Sequence, residues 1–195
     1  IRDSATITNS NGNVLLTGAA GPTTISNSFG SVTVSDIRGD LVVHNGNGAV
    51  DARNISGAAE LNTSFSSITF YDVGKKLTSI ASNTRITGSK IGAGAQVRNN
   101  FGGIELRDVT GDIDVQNSNA KITVQDIRGN AILKTSFGEI DAAGVSGNAT
   151  LSNSNAAITL SNVGGLTDIR STFGKIDVSG LKKGVKVVSG NASVS

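Results

Sequence analysis

Three acidic residues recur at an interval that would suit paired-carboxylate chemistry. Glu105, Asp141 and Asp177 follow one another every 36 residues. Two carboxyl groups that flank a water molecule are the machinery of inverting glycoside hydrolysis. No cluster of other titratable residues accompanies these acids to tune their protonation, as an active site usually requires. We therefore expect solvated acids on the outer side of a strand, with no catalytic residue and no enzyme.

His44 is the only imidazole in a chain that has no cysteine. It lacks the further Cys or His ligands of a zinc site and the partners of a catalytic triad, so we expect it on the surface. Asp112 and Asp114 hint at calcium, but the glycine-aspartate loops of calcium-binding solenoids are absent. The sequence thus predicts neither a metal nor a cofactor.

Basic residues form a sparse stripe. Arg98, Lys134 and Arg170 recur every 36 residues, and His44 falls in the same column of the repeat described below. Such a stripe could meet an acidic glycan or a membrane surface. Acidic residues are interspersed nearby, so ordinary surface charge is the interpretation we favour. The formal net charge of +2 is too small to indicate a nucleic-acid partner.

All these positions belong to an internal repeat of 18 residues. A polar turn such as Asn9-Ser10-Asn11-Gly12 or Asn27-Ser28-Phe29-Gly30 marks each repeat, and no insertion interrupts the series. A fixed period of this kind is the signature of a repeat architecture. The turns begin at residues 9, 27, 45, 63, 81, 99, 117, 135, 153, 171 and 189.

Apolar residues occupy the same places in every repeat. Five residues after the start of each turn the chain has only Val or Ile, from Val14 to Val194. Polar residues such as Thr33 and Glu105 separate this column from the next apolar one, which is the pattern of a strand with one buried face. A second strand ends at each turn, and an arc such as Asp36-Ile37-Arg38-Gly39 joins the two strands. Asp, Asn and Gly in the arc tolerate left-handed backbone.

The columns predict an all-β, single-stranded β-solenoid in which each repeat is one coil. Eleven coils of 18 residues, paired as 36-residue units, would stack about 4.8 Å apart into a rod of about 50 Å. An antiparallel meander would place unlike strands side by side and lose the identity of the columns. Inward spacings of seven, five and six residues favour a right-handed parallel β-helix over the left-handed hexapeptide type. On this interpretation residues 1–195 form a single solenoid domain.

The third turn position alternates without exception between Asn and Phe. We expect this structural ladder to lie at one end of the core, with Phe rings plugging it and Asn amides binding neighbouring backbone. The alternative is an exposed aromatic ladder that grips sugar rings. The ladder comprises Asn11, Phe29, Asn47, Phe65, Asn83, Phe101, Asn119, Phe137, Asn155, Phe173 and Asn191.

One segment departs from the pattern. Between residues 74 and 95 the arcs lose their usual form, Ser79 takes an inner position and Ile80 comes one residue late. A local bulge or a slipped strand pairing would explain this. A bend or a binding site remains the alternative.

The turns and arcs resemble those of a bacterial family of unknown function that carries the label of adhesins. Phe137-Gly138-Glu139-Ile140-Asp141 and Asp108-Val109-Thr110-Gly111-Asp112-Ile113 carry the likeness, which covers essentially all 195 residues. The resemblance implies a right-handed β-helix on an exported or envelope-associated protein. It supplies no catalytic motif.

Together these features predict a non-catalytic module of the bacterial cell envelope or extracellular space. Its role would be structural or adhesin-like, with a cell-surface glycan or protein as partner. The alternative is a filament or scaffold that joins end to end through uncapped coils, and a polysaccharide-active enzyme is the least favoured. No run of 18 apolar residues is present, so no transmembrane segment is expected. Because the chain begins at Ile1 and has no Met, we expect an excised or processed part of a longer protein.

Overall fold

A computed structural model describes residues 1–195 as a rod of parallel strands. Every strand pairs with partners 18 residues away, as in the series Ile122, Ile140 and Ile158. All regular structure is strand, and the coils follow one another along the rod axis. The prediction of an all-β solenoid of about eleven coils is therefore confirmed.

Most coils contribute two short strands, one on each side of the polar turn. In β7, β8, β17 and β18 the strand instead continues through the turn. The strands are β1 (Ala5–Asn11), β2 (Val14–Ala19), β3 (Thr23–Phe29), β4 (Val32–Ile37), β5 (Leu41–Asn47), β6 (Val50–Ile55), β7 (Ala59–Val73), β8 (Leu77–Ile91), β9 (Ala95–Asn99), β10 (Ile104–Val109), β11 (Ile113–Asn117), β12 (Ile122–Ile127), β13 (Ala131–Thr135), β14 (Ile140–Val145), β15 (Ala149–Asn153), β16 (Ile158–Val163), β17 (Thr167–Leu181) and β18 (Val185–Val194).

The predicted apolar columns form one continuous core of 44 buried residues. Ile25, Val43 and Leu61 stack on one another in successive coils, and all three are fully buried. Burial of one such side chain stabilises the fold by about 1.5–3 kcal/mol. Because each coil covers only its neighbours, this stabilisation is distributed along the rod. It is smaller at the C-terminal coil, where Val185 and Val194 are 50% and 55% exposed.

The first residue of each arc forms a corner with a left-handed backbone conformation, as the Asp and Asn residues at this position predict. Asp36, Asn54 and Asp126 have φ angles of 59°, 55° and 57°. Gly144 takes the same corner in its coil with φ of 72°. These residue types tolerate this region better than others do. The corner turns the chain so that the next apolar side chain, such as Ile37, points into the core.

Phe70 is the largest fully buried side chain and depends on a glycine in the next coil. Gly88 is its partner in the strand ladder. A Cβ atom on Gly88 would lie 1.9 Å from Cε2 of the Phe70 ring. The ring therefore occupies the space that a side chain at residue 88 would need. The large side chain in one coil and the missing side chain in the next together keep the core close-packed.

The irregular segment keeps the register of the rest of the rod. Residues on both sides still pair with partners 18 positions away, so the predicted slipped pairing, or a bulge with an extra residue, is wrong. The ladder between β7 and β8 is nevertheless interrupted between residues 61–62 and 79–80. What changes is polarity, since Ser79 is buried and Ile80 is exposed. The Ser79 hydroxyl donates to the Leu61 carbonyl at 2.7 Å, and the Ile80 N–H donates to Asn62 Oδ1 at 2.8 Å. These bonds hold the two coils together where the pattern is inverted.

Candidate binding face

The Phe residues of the structural ladder are exposed, which overturns the prediction that they plug the core. Their exposed fractions run from 47% to 63%. Asn residues occupy the intervening coils in direct register, as in the pairs Asn11–Phe29 and Phe173–Asn191. Rings two coils apart are therefore separated by about 9.6 Å along the axis. The exposed rings are Phe29, Phe65, Phe101, Phe137 and Phe173.

The inside of the turn is occupied by a different column, two residues earlier in each repeat. Asn153 is 3% exposed, and its amide nitrogen donates to the carbonyl oxygens of Gly138 at 2.9 Å and Ala156 at 3.0 Å. One amide thus binds turn carbonyls of its own coil and of the preceding coil. A phenyl ring has no donor for these oxygens, which explains why Asn lies inside and Phe outside.

This inner column, called the amide floor below, comprises Asn9, Asn27, Asn45, Thr63, Ala81, Asn99, Asn117, Thr135, Asn153, Ser171 and Ser189. Its Asn side chains are not hydrogen-bonded equally along the rod. Near the N-terminus, Asn9 donates to Asn27 Oδ1 at 2.9 Å, and Asn27 donates to Asn45 Oδ1 at 3.2 Å. Further along, the buried oxygens Oδ1 of Asn99 and Asn117 have no hydrogen-bond donor. The continuous amide chain is therefore a property of the first coils.

The alternating Asn residues of the ladder behave in part as predicted. The amide nitrogens of Asn119 and Asn155 donate to the carbonyl oxygens of Asn100 and Ser136 at 3.1 and 3.0 Å. These bonds join neighbouring coils on the outer surface of the turn. Asn83 is exposed, like the Phe residues beside it.

A polar groove runs along the outer surface above the amide floor. It has two stretches of about 450 and 590 Å³, which meet at Ile80, Ala81 and Ser82. Side chains on either side of the floor line it, mainly Ser, Asn and Thr. Phe29 contributes to its N-terminal stretch. The groove and the exposed Phe residues together are called the turn face below.

Part of the predicted basic stripe lies in the C-terminal stretch of the groove. Arg98 and Lys134 line it, and Arg170 continues the same column two coils beyond Lys134. The Arg98 guanidinium donates to the Asp114 carboxylate at 2.7 Å, and Arg170 Nε lies 3.5 Å from Asp168 Oδ1. Lys134 has no carboxylate within 4.0 Å and is exposed. Its ammonium group is thus the one cation of these three that has no carboxylate partner.

His44 is on the surface, as predicted, with 52% of its side chain exposed. It lines the N-terminal stretch of the groove beside Asn62, whose Nδ2 is 3.2 Å from His44 Nδ1. Its Nε2 is 3.9 Å from the Glu60 carboxylate. No group of three or more metal-ligating side chains occurs in the structure.

The acids considered for catalysis lie outside the groove, and each is paired with a cation. Glu105 contacts Arg107 at 2.7 Å, and Asp141 lies 3.4 Å from Lys121. A hydrogen bond from Lys175, together with one from Ser195, lowers the pKa of Asp177 below its ordinary value. A general acid at neutral pH needs a raised pKa, so the Asp177 carboxyl is set up to remain charged.

The two acidic residues that hint at calcium form hydrogen bonds or ion pairs within the protein. The Asp112 carboxylate accepts a hydrogen bond from the Asn130 N–H at 2.7 Å. Asp114 binds Arg98, as described above. Each carboxylate therefore stabilises a contact between neighbouring coils.

Comparison with known proteins found no matching family model, no similar curated protein and no similar solved structure. The structure has no helix with the length and the hydrophobicity that are needed to span a membrane. The resemblance to the adhesin-labelled family stays a prediction. What the protein does must be inferred from the turn face itself.

Proposed function

We propose that the protein is a non-catalytic binding module of the bacterial envelope or extracellular space, which holds an elongated glycan along the turn face. The single observation that carries this proposal is the row of five exposed Phe rings. One exposed apolar residue is ordinary on a protein surface. Five of the same type in one column, two coils apart, form an extended recognition surface.

The spacing of the rings favours a partner with a repeating structure. A flat phenyl ring packs against the apolar face of a pyranose, and rings about 9.6 Å apart would meet every second sugar of an extended chain. Each contact is weak, but several on one rod act together and raise the overall affinity. The polar groove beside the rings supplies hydroxyl and amide groups for the sugar hydroxyls.

Rigidity supports the same role. The backbone of the turns is bound from coil to coil, as in the bonds from Phe137 N–H and Phe173 N–H to Ser118 and Ser154 carbonyls at 3.0 and 2.9 Å. A preformed surface loses little conformational freedom when it binds. The ion-paired acids and the lowered pKa of Asp177 favour binding over catalysis. Export is supported by the resemblance described above.

The experiment is a polysaccharide-binding screen with wild type and the double variant Phe101→Ala/Phe137→Ala. Loss of two stacking rings should weaken binding about 5- to 160-fold, from about 0.5–1.5 kcal/mol per ring. Leu15→Ala is the matched control, because Leu15 is 76% exposed and lies outside the turn face. Equal binding by the double variant and wild type would refute the role of the ladder.

A further inference from the structure

The C-terminal half of the turn face pairs each aromatic ring with a cation on the same coil. We propose that this half binds a linear anionic polysaccharide with one negative charge per disaccharide. The inference rests on the proposed function and adds the chemistry of the ligand. The cation always precedes the ring by three residues, and the rows are Arg98–Phe101, Lys134–Phe137 and Arg170–Phe173.

The intervening coils are neutral at the same positions. Strand register places Gln116 between Arg98 and Lys134, and Ser152 between Lys134 and Arg170. Successive cations are therefore two coils, or about 9.6 Å, apart along the axis. The rings have the same interval. A ligand that satisfies both must present one anion and one apolar sugar face per repeat, and a linked disaccharide has about this length.

Lys134 is the anchor of this surface. It is the middle cation and has no acidic partner, so its full charge is open to a ligand carboxylate or sulfate. Arg98 is held by two bonds to Asp114, through the carboxylate and the backbone carbonyl at 3.0 Å. A guanidinium fixed in this way can still present its remaining N–H groups to a second acceptor. Lys134 supplies attraction, and Arg98 supplies oriented donors. Arg170 is 63% exposed and adds a third charge at the same spacing.

The same surface is poorly suited to a peptide or a nucleic acid. A peptide that adds as a strand needs a free sheet edge, whereas backbone groups along this face are paired between coils. The net charge of +2 and three cations in a row are few for a phosphate backbone. Hydroxyl groups such as those of Ser118, Ser136 and Ser154 line the groove instead and match the hydroxyls of a sugar chain.

The N-terminal half of the turn face provides an internal contrast. Its rings, Phe29 and Phe65, follow the neutral residues Ser26 and Asn62. Ile80, which is 62% exposed, lies where the two stretches of groove meet. Charge selectivity should therefore belong to the coils after Ile80, while ring contacts occur on both sides of it.

The test measures the affinity of the whole chain for defined polysaccharides by calorimetry. Hyaluronan carries one carboxylate per disaccharide, keratan sulfate carries sulfate, and chitooligosaccharide is a neutral counterpart. We expect one of the two anionic chains to bind at least 10-fold more tightly than the neutral chain. Lys134→Gln should weaken that binding about 3- to 10-fold and reduce its dependence on salt. Comparing the two anionic chains tells carboxylate from sulfate.

Lys75→Gln is the control, because Lys75 is an exposed lysine of the arc outside the groove. It should leave affinity unchanged. Equal affinity for neutral and anionic chains, with no effect of Lys134→Gln, would overturn the charge inference and leave the proposed function intact. Binding of poly-glutamate as tight as that of the polysaccharides, unaffected by Phe137→Ala, would show mere charge attraction and overturn it too. If no polysaccharide binds, the proposed function itself fails.

Discussion

Substitution of Gly88 by Ala tests whether the core is packed coil against coil. The new methyl group would lie 1.9 Å from Cε2 and 2.0 Å from Cζ of Phe70, which is 1% exposed and cannot swing outward. Either the ring or the strand must move. Overpacking of this kind costs about 1–3 kcal/mol in the free energy of unfolding. We expect Gly88→Ala to destabilise the rod by an amount in that range.

A double-mutant cycle isolates the cause. Phe70→Leu alone should cost about 1–3 kcal/mol, because it leaves space in the core. In the double variant the alanine methyl fills part of that space, so the two effects should fall short of additivity by about 1–2 kcal/mol. Gly103→Ala is the matched control, since a Cβ there meets only the Lys121 carbonyl oxygen at an ordinary 3.6 Å.

Guanidinium unfolding measures these differences, with amide hydrogen exchange to show whether the loss is confined to the coils that contain residues 70 and 88. A solenoid can unfold in parts, so an unchanged m-value is needed before free energies are compared. If Gly88→Ala is neutral, or if the two substitutions add without coupling, the packing described here is refuted.

Two further predictions concern the turn and a surface acid. Asn153→Leu removes the donor to two turn carbonyls and should lower the free energy of unfolding by about 1–3 kcal/mol. Asn83→Leu on the outer surface should change it by less than about 0.5 kcal/mol. Equal shifts of the melting temperature in the two variants would contradict the role of the amide floor. Because its Lys175 hydrogen bond lowers the pKa of Asp177, the stabilisation from that pair is present above the ordinary carboxyl pKa and is lost as pH falls through the lowered value. Lys175→Met should raise the pKa of Asp177 in a carboxyl NMR titration, and an unmoved titration would show that Lys175 is not the cause.

The fold could be predicted from the sequence because equivalent residues in successive coils of a solenoid share the same environment. An apolar column such as Ile104, Ile122 and Ile140 has meaning only if these residues stack, and they do. Left-handed corners were equally visible in the Asp and Asn residues of the arcs.

The direction of the Phe rings could not be obtained in the same way. Periodicity identifies equivalent residues but does not say which way a turn residue points. Hydrophobicity placed Phe inside, whereas the inner position is taken by residues such as Asn153, whose amide donates to the turn carbonyls. The polar residues of the inner column carried the signal, because Asn, Thr and Ser side chains can donate to the turn carbonyls and a phenyl ring cannot.

The groove and the unpaired charge of Lys134 could not be predicted from the sequence either. The basic column was visible in the sequence, but which acids neutralise it depends on contacts between neighbouring coils, such as Arg98 with Asp114. Polar Ser79 occupies an inner position and apolar Ile80 an outer one. A strand that is shifted by one residue would show the same reversal, so the sequence suggested a slipped strand pairing. The spacing of 18 residues on both sides of these residues shows that the register is kept, although the strand ladder is interrupted between residues 61–62 and 79–80.

The stacking of coils also fixes how the protein would respond to mechanical load. One coil contributes about 4.8 Å to the rod but contains 18 residues, which extend to about 60 Å when pulled straight. Tension applied to the two ends would therefore peel off coils one at a time, and each would lengthen the tether more than tenfold over its folded contribution. A ligand on the coils that remain folded would stay bound, while the unfolded coils take up the applied extension.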